Sequence, residues 1–211
     1  MSLPGRQQPE AAVLRQAHDR HQDDHASGLS PKGEFRNAQH EGTPVNALPN
    51  TGLLQRGMTS ADLTRVLAIE VGAYSFPWSR GNFIDSLAAG YLAEVLFVRD
   101  GGLLGYFVAM PGVDEMHLLN VTVAPDHQGR GHGRAMLDAL EARCIERHLP
   151  MLWLEVRAGN HRARDVYRQR GFAEVGLRRG YYPAPQGLRE DAVVMSMAVV
   201  GGAQGAGDGL V

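Results

Sequence analysis

The chain of 211 residues contains a single cysteine, Cys144, so an internal disulfide framework is excluded. So little cysteine is typical of a reducing compartment, and we expect a cytoplasmic protein. Positive and negative side chains nearly balance, at 21 against 23, which gives a formal net charge of −2. That balance offers no general attraction for nucleic acid or for an anionic membrane. No apolar run reaches the length of a membrane span, and the first residues lack the hydrophobic segment of a secretory signal.

The chain divides into three regions of different composition. Residues 1–50 are polar and lack hydrophobic periodicity, which predicts a disordered extension because so little apolar surface cannot offset the ordering entropy. Residues 51–200 carry strand-like and helical periodicity and predict one folded domain. Residues 201–211 are rich in glycine and predict a flexible tail. Histidines and aspartates within 18–25 resemble a metal site, but a solvated polar tail is the simpler interpretation, and we predict no metal.

Hydrophobic spacing and turn residues predict the elements of the folded region. Ser60 and Ser79 are the expected N-caps of two helices, and two more helices are predicted over 131–147 and 160–171. These elements indicate a three-layer α/β fold with a mixed sheet. Strands are predicted at 53–54, 92–99, 103–110, 115–123, 151–156, 172–177 and 192–199.

Two of the predicted strands also predict which side chains share a face. Along 115–123, strict alternation places Met116, Leu118, Asn120 and Thr122 on one face, opposite His117, Leu119, Val121 and Val123. The nearly continuous apolar run over 151–156 predicts a strand that is covered on both faces.

A glycine-bearing loop follows the strand 115–123. Gly129, Gly131 and Gly133 remove three Cβ atoms within five positions, just before a predicted helix. Backbone N–H groups can then approach a ligand closely, and the helix N-terminus favours an anion, above all a phosphate. The loop lacks the Gly-Lys-Ser/Thr of a Walker loop, and its spacing differs from the dinucleotide fingerprint Gly-x-Gly-x-x-Gly. The alternative is an ordinary flexible turn between a strand and a helix.

Glu155 is the main anomaly, because it lies near the end of an otherwise apolar strand. Burying a carboxylate is costly unless it is paired, solvated at a cleft or retained for a function. It is therefore a candidate general base, or alternatively half of an ion pair with Arg157 or Arg178. Asn160 and Tyr167, seven residues apart, share one face of the next helix and could join the same cleft. Considered separately, Asn160 would be interpreted as a helix N-cap and Tyr167 as an aromatic residue of the core.

Several motifs together resemble one family. Gln128-Gly129-Arg130-Gly131-His132-Gly133 matches the Gln/Arg-x-x-Gly-x-Gly/Ala signature of the GNAT superfamily of N-acetyltransferases. Leu154–Arg157, Tyr181–Pro183 and Phe76–Ser79 resemble its RimI branch. The resemblance runs from about Met58 to Met197 and departs at the N-terminal extension, the glycine-rich tail and Gly159, where serine is common.

The resemblance implies a GNAT-like fold, in which about four helices flank a mixed, mostly antiparallel sheet of about seven strands. It implies acetyl-CoA as co-substrate and no metal, with Glu155 as general base and Tyr167 as general acid. It also implies that the backbone of Val121, Thr122 and Val123 holds the acetyl-pantetheine arm. The remaining implied CoA ligands are Gln128, Gly129, Arg130, Gly131, His132, Gly133 and Arg134 at the pyrophosphate, together with Asn160.

The acceptor implied by the resemblance is the N-terminal alanine of small-subunit ribosomal protein number eighteen. Other protein N-termini, a lysine or a small amine stay open, as does a non-catalytic CoA-sensing module. Glu115 is the reserve base. We expect a monomer or weak dimer, with no nucleic-acid or membrane partner. Exposed aromatic residues on loops often form recognition surfaces, so the candidate substrate-binding residues are Trp78, Tyr181, Tyr182 and Arg189. The alternative is that the two loops carrying them pack on each other.

Overall fold

The computed structural model describes residues 46–47 and 52–200. The predictions for residues 1–45, including the histidines, and for 201–211 lie outside the described residues. One sheet of eight strands forms the centre. The strands are β1 Asn46–Ala47, β2 Leu53–Gly57, β3 Leu92–Val98, β4 Leu103–Pro111, β5 Glu115–Val123, β6 Met151–Arg157, β7 Ala173–Pro183 and β8 Arg189–Ala198. The helices are α1 Leu63–Ala73, α2 Arg80–Ala88, α3 His132–Glu146 and α4 His161–Arg170.

The strands lie in the order β1-β2-β3-β4-β5-β6-β8-β7. All neighbours pair antiparallel except β5 and β6, which are parallel. The predicted mixed, mostly antiparallel sheet with four flanking helices is confirmed. β1 falls within the region predicted to be an extension. β7 and β8 are longer than predicted, so Tyr181 and Arg189 lie on strands rather than in a loop.

The helices cover the two faces of the sheet with separate apolar clusters. Leu63 and Phe83 of α1 and α2 are fully buried over β3 and β4, together with Tyr106. On the other face, α3 contributes Met136 and Cys144 to the larger cluster. Burial raises the pKa of the Cys144 thiol to about 11, so this thiol is protonated at neutral pH and packs as a small apolar group. No helix in the described part of the chain is long and apolar enough to cross a membrane.

A bulge in β5 overturns the predicted alternation. Val108 of β4 pairs with Asn120, whereas Ala109 pairs with Leu118, so Leu119 is an extra residue without a partner on β4. Leu118 therefore packs in the larger cluster, while Asn120 bonds to side chains beneath α1. The prediction that Met116, Leu118, Asn120 and Thr122 share a face was wrong, because one inserted residue exchanges the faces of everything beyond it.

The predicted burial of β6 on both faces was also wrong. Leu154 and Val156 are buried in the larger cluster, whereas Glu155 and Arg157 are partly exposed on the opposite face. The reason is that α1 and α2 pack over β3, β4 and β5. The face of β6 that carries Glu155 is consequently left to line a cleft.

An ion pair between a buried carboxylate and a partly exposed arginine joins α3 to the sheet. Glu94 of β3 accepts hydrogen bonds from Arg143 Nε at 2.7 Å and from Gln55 Nε2 at 2.8 Å. Its side chain is 5% exposed. Arg143 also pairs with Glu146, which is exposed on the same helix. Glu94 depends on Arg143 because a buried carboxylate is costly without a cation beside it.

Arg143→Met removes that cation and leaves Glu94 with a single amide partner. We expect the free energy of unfolding to fall by about 3 kcal/mol. Glu146→Gln is the matched control, since it removes only the exposed partner of Arg143 and should cost less than about 0.5 kcal/mol. Urea unfolding of both variants measures the difference. If both variants lost the same free energy of unfolding, the dependence of buried Glu94 on Arg143 would be contradicted.

Candidate active site

The candidate site begins where β5 and β6 separate. The two strands pair from Glu115 with Met151 to Leu118 with Leu154, and no pairing follows. From Leu119 onward, the edge of β5 that faces β6 carries backbone groups that β6 does not satisfy. An unpaired strand edge of this kind is available to a ligand.

A cleft of about 540 Å³ opens along the separated edge of β5. It runs from the strand to the glycine loop and is bounded by α4. It contains every predicted CoA-binding residue except Arg130, whose guanidinium donates to the Asp126 carbonyl instead. The lining residues are Ala73, Tyr74, Val121, Thr122, Val123, Gln128, Gly129, Gly131, His132, Gly133, Arg134, Leu137, Asn160, Arg162, Ala163, Val166 and Tyr167.

The loop at one end of this cleft suits an anion. Gly129 and Gly131 have φ values of +77° and +84°, which lie in the left-handed region that favours glycine. Gly131 is also the N-cap of α3, so the unpaired N–H groups of that helix begin at the loop. Burial, helped by His127 and Arg130 nearby, lowers the pKa of His132. A bound anion would raise that pKa, because it favours the protonated ring.

A second cleft of about 170 Å³ is lined by residues of both β5 and β6 at the point where the two strands separate. Glu155 lines it, together with Trp78 and Tyr182. Five residues line both clefts, so the two cavities meet at this set: Tyr74, Val121, Asn160, Ala163 and Tyr167. Tyr167 and Asn160 were predicted from their spacing to share a cleft with Glu155, and the structure brings the three together.

Glu155 both lines the smaller cleft and forms an ion pair. Its Oε1 lies 3.3 Å from Nη2 of Arg178, and its side chain is 14% exposed. Arg157, the other partner considered, pairs with Glu190 at 3.1 Å. Glu155 is therefore paired and also lines the cleft, so the geometry accommodates both a general base and half of an ion pair.

Tyr167 is held by packing rather than by hydrogen bonds. It is buried against Phe172, with ring centroids 5.7 Å apart. Burial raises its pKa well above the ordinary value, so the hydroxyl is protonated at neutral pH. Within the described residues this hydroxyl has no hydrogen-bond partner. Asn160 is the N-cap of α4, and its Oδ1 accepts from Ala163 N at 3.1 Å.

The candidate substrate-binding residues divide into two groups. Trp78 and Tyr182 line the smaller cleft, and the Tyr182 hydroxyl donates to the Glu155 carbonyl at 3.0 Å. Tyr181 and Arg189 line neither cleft, and the Arg189 guanidinium donates to backbone carbonyls of its own hairpin. Glu115, the reserve base, also lies outside both clefts and bonds to His117 at 2.9 Å.

Sequence reasoning missed Glu70, a buried carboxylate that lines the smaller cleft. It accepts from the backbone N–H of Trp78 at 2.7 Å, from the Tyr106 hydroxyl and from the Asn120 amide at 3.4 Å. It thus connects the segment before α2 to the bulged strand. The available signal was an acidic residue in the apolar stripe of α1, which continues from Leu63.

Sequence reasoning also missed Tyr74, which lies at the meeting point of the clefts. Its hydroxyl accepts from Thr122 Oγ1 at 3.0 Å and donates to the Val121 carbonyl at 3.3 Å. The end of α1 is thereby attached to the unpaired part of β5.

Comparison with known proteins gives consistent matches. Residues 63–172 match the acetyltransferase (GNAT) family. The chain is 37% identical over 142 residues to the ribosomal protein bS18-alanine N-acetyltransferase of Escherichia coli strain K12, covering 67% of this chain and 95% of that protein. The enzyme of that name from Haemophilus influenzae is 36% identical over 137 residues, covering 65% and 92%. The crystal structure of the ribosomal-protein-S18-alanine N-acetyltransferase from Escherichia coli superimposes with a TM-score of 0.65 at 35% identity, covering 75% of this chain and 99% of that one.

The buried position of Glu70 predicts a pH-dependent stability. Burial raises the pKa of this carboxyl above its ordinary value of 4.5, despite its three hydrogen-bond donors. The unfolded chain then loses this proton at a lower pH than the folded protein, so stability falls as pH rises from about 4.5 through the folded pKa. Glu70→Gln cannot ionise. We therefore expect this variant to gain stability relative to wild type as pH rises.

Urea unfolding of wild type and Glu70→Gln between about pH 4 and pH 8 measures this difference. Glu94→Gln is the control for replacing a buried carboxylate elsewhere in the fold. A stability difference for Glu70→Gln that stays constant over this range would contradict the raised pKa.

Proposed function

Because the chain belongs to the acetyltransferase (GNAT) family, we propose that it transfers the acetyl group of acetyl-CoA to a protein N-terminus, the N-terminal alanine of ribosomal protein bS18. The observation that carries the proposal is the meeting of the two clefts at the separated end of β5. One cleft leads to a loop suited to phosphate, and the other presents a carboxylate. A donor in the larger cleft and an acceptor in the smaller one can thus meet at one junction.

The larger cleft fits the chemistry of acetyl-CoA. Its volume of about 540 Å³ lies within the usual range for cofactor sites. The left-handed glycines and the start of α3 suit the pyrophosphate, and the unpaired edge of Val121–Val123 suits the amide groups of the pantetheine arm. Acetyl-CoA supplies the acetyl group as a thioester.

The residues at the junction have complementary roles in this proposal. Glu155 accepts a proton from the acceptor ammonium, directly or through water, because only the neutral amine is nucleophilic. Backbone N–H groups of Val121–Val123 polarise the thioester carbonyl. The amine nitrogen bonds to the carbonyl carbon and the carbon–sulfur bond breaks, while the Tyr167 hydroxyl donates its proton to the departing sulfur. The second proton that the nitrogen loses on becoming an amide passes through solvent to the Tyr167 oxygen and restores the hydroxyl. The Tyr167 hydroxyl is protonated at neutral pH and can therefore donate, although burial raises its pKa and makes it a weaker acid.

The acceptor is proposed from the relatives. Two enzymes named for the N-terminal alanine of bS18, from Escherichia coli and Haemophilus influenzae, are 37% and 36% identical to this chain, which covers 95% and 92% of their lengths. The smaller cleft supports a short N-terminus as acceptor, since Trp78 and Tyr182 line it beside Glu155. Glu70 holds the Trp78 segment in place through a backbone hydrogen bond.

Glu155→Gln keeps the shape of the side chain but removes the base. We expect kcat/KM to fall by about 10²–10⁴-fold, the usual contribution of general acid–base catalysis, while the Kd for acetyl-CoA stays unchanged. Arg178→Gln is the matched control, because it breaks the same ion pair from the other side. Steady-state kinetics and calorimetry measure the two effects. If the two variants lose equal activity, Glu155 acts only as half of a structural ion pair.

The acceptor is tested by incubating ribosomal proteins with the enzyme and acetyl-CoA, then locating new acetyl groups by mass spectrometry. We expect one added acetyl group, on the N-terminal alanine of bS18. A peptide that begins with alanine and a lysine peptide with a blocked N-terminus form the matched pair. Faster acetylation of the lysine peptide would reject the proposed acceptor. Tight binding of acetyl-CoA without transfer to either peptide would favour a CoA-sensing module.

A further inference from the structure

The four arginines of α4 differ in their ionic partners. Arg164 pairs with Glu174 at 2.9 Å, and Arg168 pairs with Asp165 at 2.8 Å and with Glu174. Arg170 bridges to two carboxylates of α3. Within the described residues, Arg162 alone among the four forms no ion pair.

Arg162 is also the arginine of α4 that lines the larger cleft. Its Nη2 lies 3.6 Å from the position that a Cβ atom on Gly129 would take, so the guanidinium lies beside the first glycine of the loop. It does not line the smaller cleft, which places it away from Glu155. An unpaired cation thus lies beside the backbone that is suited to an anion.

We propose that Arg162 binds a phosphate group of CoA and so determines the specificity of the larger cleft for the phosphorylated part of its ligand. The inference rests on the proposed function, because that function supplies the ligand. A guanidinium presents several N–H donors in a planar fork and pairs with phosphate through two hydrogen bonds. Arg164, Arg168 and Arg170 each hold a carboxylate partner and line neither cleft. CoA carries a pyrophosphate and a 3′-phosphate, and the guanidinium of Arg162 can pair with either of them.

The test is calorimetric binding of acetyl-CoA and of acetyl-3′-dephospho-CoA to wild type, Arg162→Gln and Arg168→Gln. Arg168→Gln is the matched control, since it removes the same charge from the same helix at a side chain outside the clefts. We expect Arg162→Gln to weaken acetyl-CoA about tenfold, as for a charge-assisted hydrogen bond, and Arg168→Gln to change it less than about twofold. Arg162→Lys should recover only part of the loss, because a lysine keeps the charge without the fork.

The dephosphorylated ligand separates the two phosphate sources. If Arg162 binds the 3′-phosphate, Arg162→Gln and wild type bind acetyl-3′-dephospho-CoA equally. If it binds the pyrophosphate, the variant is weaker with both ligands. Unchanged acetyl-CoA binding in Arg162→Gln, with wild type binding normally, overturns the inference and leaves the proposed function intact. Failure of wild type to bind acetyl-CoA rejects the proposed function itself.

Discussion

The separation of β5 from β6 after Leu118 is the constraint on which the site depends. Two parallel strands normally continue to pair, because each unpaired backbone group loses a hydrogen bond. Here the bulge at Leu119 increases the local twist of β5 at the point where pairing stops. The same inserted residue rotates Asn120 and Thr122 toward α1. The bulge at Leu119 therefore has two consequences: the cleft opens, and its wall bonds to α1.

Glu70 links that irregularity to the other wall of the smaller cleft. A carboxylate that is only 1% exposed destabilises a fold unless donors surround it. Glu70 has three donors, from β4, from β5 and from the segment before α2. The aromatic rings of Trp78, Phe83 and Tyr106 pack in sequence, at 5.3 and 5.5 Å between centroids, and both Trp78 and Tyr106 donate to Glu70. Hydrogen bonds and apolar packing thus act together on this wall of the cleft, which fixes its position more narrowly than packing alone.

The charges of the site are separated along its length. Cationic side chains and helix N–H groups gather at the glycine loop, whereas the carboxylate of Glu155 lies beyond the junction. An anionic donor and a cationic acceptor are each drawn to a different end, and their reacting atoms meet between the two. Tyr167 lies at that meeting point with a hydroxyl that burial keeps protonated. The geometry suits direct transfer between two bound molecules.

The sequence alone determined the features that depend on neighbouring residues. Ser79 was read correctly as an N-cap, because its hydroxyl accepts from an N–H three residues on, and the glycine loop was recognised from its missing Cβ atoms. The prediction of Ser60 as an N-cap was wrong, because Ser60 lies in a short 3₁₀ turn and Asp62 is the N-cap of α1. The tertiary structure decided what depends on pairing between distant segments. The bulge at Leu119 could not be predicted, because burial still alternates along β5 although its two faces exchange at the bulge. Only the pairing with β4 shows the inserted residue. Glu155 could be named from its unusual position. Its ion pair with Arg178, its access to a cleft and the lack of an ion pair for Arg162 among the described residues depend on how distant segments pack, which no local pattern encodes.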